Sequence, residues 1–386
     1  MPTDPHRDAP RLADAAAAWV AAYVHIPFCR RVCPYCDFAV VEGAEGRQAP
    51  YLEALLAEIR REPPFGRPLD AVFVGGGTPT SLAPADLGRV VSALDDSLGL
   101  VTGAEISLEA NPEDLTPAVA AELAAQGFNR VSLGVQSFDP GVLGALGRRH
   151  DQATARAAVA AALAAFPSVN VDLIFGTPGE TITSWRESVE QAVGSGVQHL
   201  SAYALTVERG TPLGRAVQDG APAPDPDDQA TKYEIVSEVA ARAGLERYET
   251  SNFARPGHHC RYNLLTWAQG EYAGFGNGAH RHRSGVRSWN VRRLDRYIEQ
   301  AAESAVAGEE ALGPWERELE RFSLGLRRTA GVVAGEAGRA LLGSDQGRRL
   351  LDAGVVAVEG DRIRVARPLL GDEVGRAALA LRPGDC

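Results

Sequence analysis

The chain has 386 residues, 45% of them hydrophobic, and a formal net charge of −11. That length holds one large α/β domain and a smaller one, and the charge excludes general affinity for nucleic acid or anionic lipid. Five cysteines, an odd number, exclude a disulfide scaffold and suit a reducing compartment.

Residues 1–20 read as an N-terminal extension. The apolar run from Ala15 to Val24 is too short to cross a bilayer. No basic leader with a small-residue cleavage site stands out, so the expected location is the cytoplasm. From residue 21 to about 250, short apolar runs alternate with Ala- and Leu-rich stretches. The predicted strands are Tyr23–Ile26, Ala71–Val74, Glu105–Glu109, Arg130–Val135, Val169–Phe175 and His199–Leu205. Helices are predicted over Pro50–Glu62, from Pro84, over Val142–Leu146 and Gln152–Ala165, and through Trp185 to Val193. This alternation predicts an α/β fold with a parallel sheet, open or closed into a barrel. Pro222-Ala-Pro-Asp-Pro226 interrupts it, and a helix from Asp228 to Ala243 stops at Gly244. Residues 251–310 combine an aromatic, His- and Cys-rich stretch with a polar linker, Ala301–Ala311. Residues 311–386 change pattern to amphipathic helices and a hairpin over Val355–Ile363, which predicts a separate helix-plus-wing domain.

The most informative run is Cys29-Arg-Arg-Val-Cys33-Pro-Tyr-Cys36, with three thiols in eight residues. A structural zinc site takes four protein ligands. Three on one tight loop suit a cubane iron–sulfur cluster with one iron left open. A zinc loop that borrows Cys260 as its fourth ligand is the alternative. Cys386 is terminal and incidental.

Other unusual residues sit at or just past predicted strand ends, where β–α barrels carry their chemistry. Gly75-Gly-Gly-Thr-Pro79 leaves the backbone bare for close approach of a ligand, or is an ordinary tight turn. Glu109 and Gln136 can accept or donate to a polar ligand, or cap and solvate the surface. Arg148 can hold a carboxylate bidentately, or is a solvated helix-end charge. Asp172 lies in an apolar strand, and ionised acids are rarely buried without partners. Tyr248-Glu-Thr-Ser-Asn-Phe253 and His258-His-Cys-Arg-Tyr262-Asn-Leu-Leu-Thr-Trp267 can hold a flat aromatic group or ligate iron, or form a packed aromatic region.

Taken together, these motifs resemble the coproporphyrinogen-oxidase-like branch of the radical S-adenosylmethionine (SAM) proteins. The resemblance runs over nearly the whole chain. It is carried by Tyr23-Val-His-Ile-Pro-Phe-Cys29, Gly75–Pro79, Glu109-Ala-Asn-Pro112, Gly134-Val-Gln-Ser-Phe138, Gly147-Arg-Arg-His150, Asp172-Leu-Ile-Phe-Gly176, His199-Leu-Ser-Ala-Tyr203, Tyr248–Phe253 and Gly274-Phe-Gly-Asn-Gly-Ala-His280. It implies a partial (β/α)6 radical SAM barrel with a small C-terminal helical, winged-helix-like domain. It also implies a [4Fe–4S] cluster on Cys29, Cys33 and Cys36, with SAM on the fourth iron. Matched position by position, SAM would lie against Tyr23, Tyr35, Gly76, Gly77, Thr78, Glu109, Gln136, Arg148, Asp172 and Ala204.

The branch holds two activities. Its oxygen-independent coproporphyrinogen III oxidases, which decarboxylate porphyrinogen propionates by radical chemistry, carry a further cysteine two residues past the third and a longer N-terminal arm. Here Asp37-Phe38 follows Cys36, and 22 residues precede Tyr23. Both departures resemble the heme-chaperone group of the branch. That group implies heme as cargo and heme-accepting proteins such as respiratory enzymes as partners. It also implies peripheral contact with membrane proteins, and a homodimer. The group's His-Asn-x-x-Tyr-Trp run is Tyr262-Asn263-Leu-Leu-Thr266-Trp267 here. The expected heme contacts are therefore His259, Tyr262 and Trp267, with His258 and Cys260 as further candidate ligands. A member that binds cluster and SAM but no heme is the third reading.

Overall fold

The computed structural model describes Leu12, residues 14–43 and residues 45–382; most of the N-terminal extension and Cys386 lie outside the described residues. Six parallel strands follow one another in chain order: β1 (Val20–Ile26), β2 (Leu69–Gly76), β3 (Leu100–Ala110), β4 (Arg130–Gln136), β5 (Ser168–Phe175) and β6 (His199–Ala204). Apolar side chains fill the helix-covered face of these strands, and polar side chains such as Glu109, Arg130, Ser132, Asn170 and Asp172 line the inner face. In β1 six of the seven residues are buried. Outside the sheet pack α1 (Gln48–Arg61), α2 (Pro84–Leu98), α3 (Pro117–Ala125), α4 (Gln152–Ala165), α5 (Ile182–Gly194) and α6 (Pro226–Arg242). Their starts are legible in the chain. Pro84 opens α2, the Asp151 carboxylate accepts from Thr154 N at α4, and a Thr181–Ser184 capping box opens α5. Val24, Val72, Leu108, Val131, Val171, Leu200 and Trp185 meet in the core beneath them.

The six strands do not close on themselves. On the β6 side lies antiparallel β7 (Asn252–Ala254). On the other side β1 pairs in parallel with β8 (Glu271–Phe275), and β9 (His280–Arg283), β10 (Val286–Asn290) and β11 (Val306–Ala311) continue the sheet antiparallel. Residues 301–311, expected as a polar linker, thus carry an edge strand. β11 is exposed along nearly its whole length, so its sequence lacks the apolar alternation that marks a strand. Glu58 on α1 ties this extension to the barrel. Its buried carboxylate accepts from Gly276 N, Asn290 Nδ2, Tyr297 Oη and Arg281.

Residues beyond 312 build a second core of Leu319, Phe322, Leu341, Ile363 and Val374. It lies between helices and a three-stranded sheet ordered β12 (Val332–Val333), β14 (Arg362–Val365), β13 (Val356–Glu359). No helix among the described residues is long and apolar enough to cross a membrane.

Candidate functional site

The loop after β1 holds the three cysteines, and backbone bonds lock it to the turn after β2. Gly77 N donates to Ile26 O and Thr78 N to Phe28 O, both at 2.8 Å. Only glycine serves here. A Cβ on Gly77 would meet those same backbone atoms at 2.9 Å, and Gly76, at φ +110°, would meet His25 Nδ1 at 2.4 Å. Leu213 N donates to Pro34 O from the far side of the loop.

Side chains from three strand ends then form a belt around the loop. Thr78 Oγ1 lies 3.7 Å from Cys29 Sγ, and Asn111 Nδ2 donates to Thr78 Oγ1 at 2.9 Å. Arg148 Nη2 donates to Asn111 Oδ1 and to Gly134 O, and Arg148 Nη1 lies 3.5 Å from Cys33 Sγ. The belt places a guanidinium beside the sulfurs. Arg148 Nε is buried with no partner among the described residues. Asn111 was legible in the sequence only as a turn residue before Pro112; its place in the belt depends on three loops meeting.

The belt crowns a cavity of about 580 Å³ that runs down the barrel lumen. Cys29, Cys33 and Cys36 line it, together with Tyr35, Gly76, Gly77, Thr78, Glu109, Gln136, Arg148, Asp172 and Ala204. Tyr23 lies instead in an adjoining side pocket that shares Phe38, Gly76 and Glu109 with the lumen. Gln136 ends β4 at φ +65°, a strained conformation for a residue with a side chain. Burial pushes the Glu109 carboxyl up to about 7, Asp172 adds to the rise, and the hydrogen bond from Gly76 N opposes it. Asp172 accepts from Ser132 Oγ and Asn170 Nδ2, and burial raises its pKa too. A cationic ligand beside these two acids would favour their ionised forms. Burial pushes the Cys29 thiol up to about 11, so a metal that binds there displaces a proton.

The donor set fits a cluster with one open iron and does not fit zinc with Cys260. Arg261 N, next to Cys260, donates to Glu105, whose register partner is Ala71; the Cys loop meets β2 beyond Gly76. Five residues of strand separate those levels, roughly 16 Å, whereas zinc holds each sulfur at about 2.3 Å. Cys260 is a floor residue of the lumen.

The expected heme contacts do not share a pocket. Tyr262 stacks on Tyr23 and Phe73 and lines the side pocket. Burial raises its phenol far above the ordinary value, which keeps it protonated. His259 packs against Tyr248 at 4.8 Å on the floor side. Trp267 lies under the Arg327 guanidinium, 4.7 Å from its ring.

Residues 23–192 match the model of the radical SAM superfamily. The solved Escherichia coli coproporphyrinogen III oxidase HemN, described as a radical SAM enzyme, superposes with a TM-score of 0.78 at 24% identity, over 97% of this chain and 93% of that one. The fold and the motif-bearing barrel thus define a radical SAM protein, a class that implies a [4Fe–4S] cluster and SAM. The heme chaperone HemW of Mycobacterium tuberculosis is 40% identical over 384 residues, 96% of this chain and 97% of that one. HemW of Bacillus subtilis is 36% identical over 81% of this chain and 84% of its own length. The chain belongs to the HemW family.

Proposed function

We propose that the protein is a heme chaperone. It binds heme and delivers it to acceptor proteins, and it carries a [4Fe–4S] cluster on Cys29, Cys33 and Cys36 with SAM in the barrel mouth. The observation that carries this reading is end-to-end similarity to HemW, joined to Asp37-Phe38 in place of a fourth cysteine. When bound, the cluster supplies an open iron for the amino and carboxylate groups of SAM. The chain's own residues do the rest. Gly76 and Gly77 admit close backbone approach, Glu109 and Asp172 face the cationic ligand, and the Arg148 belt fixes the cysteine loop.

The test is to reconstitute the full chain without oxygen, assay iron and sulfide, then titrate hemin with and without SAM. Retained hemin and a cluster lost in Cys36→Ala support the proposal. Zinc in place of iron, or no hemin retention, overturns it. Formation of protoporphyrinogen from coproporphyrinogen would show a decarboxylase instead.

A further inference from the structure

Below the mouth, the lumen holds a row of polar side chains that ends on Asp172. Ser132 Oγ donates to Asp172 Oδ2 at 2.8 Å. Asn170 Nδ2 lies 2.7 Å from Asp172 Oδ1, 2.6 Å from Ser132 Oγ and 2.8 Å from Ser201 Oγ. Three oxygens surround that end of the amide, which assigns it as the NH2 end. The other end, Asn170 Oδ1, is 2.6 Å from His199 Nδ1, and His199 Nε2 is 2.8 Å from Tyr248 Oη. Asn170, Ser201, His199 and Tyr248 are all buried.

The row has one direction. An amide oxygen at His199 Nδ1 requires the N–H there, which leaves the lone pair on Nε2. Burial, with Arg130, His259 and His258 beside it, holds the ring neutral, so it carries that single N–H. Tyr248 donates its O–H to Nε2, and its oxygen accepts from Cys260 N at 3.3 Å. Burial keeps that phenol protonated. Tyr248 is itself anchored from the C-terminal domain, where Thr329 N and Oγ1 donate to its backbone oxygen. Turning the Asn170 amide round would set its oxygen against the Asp172 carboxylate, acceptor against acceptor.

We propose that His199 and Tyr248 are positioning residues: they lock the Asn170 amide with its NH2 group toward Asp172, and so aim that carboxylate at the cationic ligand in the mouth. The inference rests on the SAM reading above and adds to it residues that act through Asp172. Burial pushes the Asp172 carboxyl up, while donors from Ser132, Ser201 and Asn170 and the charge of Arg130 pull it back toward the ionised form. The other titratable groups that face it are Glu109 on β3 and Tyr203 on β6. An ionised Asp172 attracts a cation, and a protonated one does not. An amide free to turn removes one of the three side-chain donors and adds a repulsion, and both changes favour the protonated form.

The experiment is a calorimetric titration of SAM into the anaerobically reconstituted full chain, repeated across pH. In His199→Leu the acid limb of the affinity profile moves up by about one pH unit, and affinity on that limb falls about tenfold. Protonating Asp172 relieves Glu109 and moves that acid the other way, so an upward displacement reports Asp172. Tyr248→Phe, which deletes a single oxygen, displaces the limb in the same direction by less. His199→Asn keeps a donor toward Asn170 and returns the limb toward its wild-type position. If His199→Leu does not fold, Tyr248→Phe decides. A merely structural role lowers the melting temperature of these variants and leaves the limb in place. That result overturns the assignment, and SAM binding by the wild type then leaves the cofactor reading standing. Failure of the wild type to bind SAM overturns both.

Discussion

At the floor of the barrel lumen, Arg130 donates to Ser168 Oγ and His258 O and sits 4.0 Å from Glu105. His199 there engages both ring nitrogens, and Tyr248 Oη also accepts from Cys260 N. At the mouth, the same residue types are left incomplete. Arg148 keeps an unpartnered Nε, Glu109 faces Asp172, and Gln136 is held at positive φ. A floor whose charges find partners within the chain is built for stability. A mouth whose charges await a partner is built for a ligand.

Substitutions at the two ends should therefore fail differently. Arg130→Ala leaves Glu105 buried without its cation and costs about 3–5 kcal/mol in urea unfolding; a cost below about 1 kcal/mol would erase the distinction between floor and mouth. Gly76→Ala drives a Cβ into His25 at a backbone angle that disfavours side chains. It should cost about 1–3 kcal/mol and weaken SAM binding, read by calorimetry, more than tenfold. Asn111→Ala opens the belt between Thr78 and Arg148. It should cost about 1–2 kcal/mol and perturb the paramagnetic spectrum of the reduced cluster; an unchanged spectrum would remove Asn111 from the belt's role.

Glu109 also sets a pH dependence. Glu109 titrates near 7 in the folded chain, above its ordinary value, so folding favours its protonated form. Its contribution to stability is complete below about pH 4.5 and is lost as pH rises through about 7. The melting temperature without SAM should fall by a few degrees over that window. Glu109→Gln should flatten the slope, and SAM should offset it in the wild type. A slope that persists in Glu109→Gln would place the titration elsewhere.

Much of the barrel was legible in the chain because its elements are local. The helix over Gln152–Ala165 has the predicted bounds; five of the six predicted strands are cores of the observed ones, and the sixth, His199–Leu205, overshoots the observed His199–Ala204 by one residue. The sheet extension was harder to read. Its strands are short and half-exposed, and the edge strand Val306–Ala311 presents acids to solvent. The cysteine loop announced itself by spacing. Nothing in Tyr262-Asn-Leu-Leu-Thr-Trp267 showed that Tyr262 turns into a ring stack while Trp267 turns toward Arg327.

Sequence alone determined the strand–helix alternation, the thiol triplet and the glycine turn, because each depends on neighbours a few residues away. Which cysteine stays apart from the triplet, which arginine is left incomplete and which histidine joins Asn170 to Tyr248 were decided only by the tertiary structure. Those outcomes depend on which strand ends meet, and contacts between residues a hundred positions apart leave no mark in local spacing.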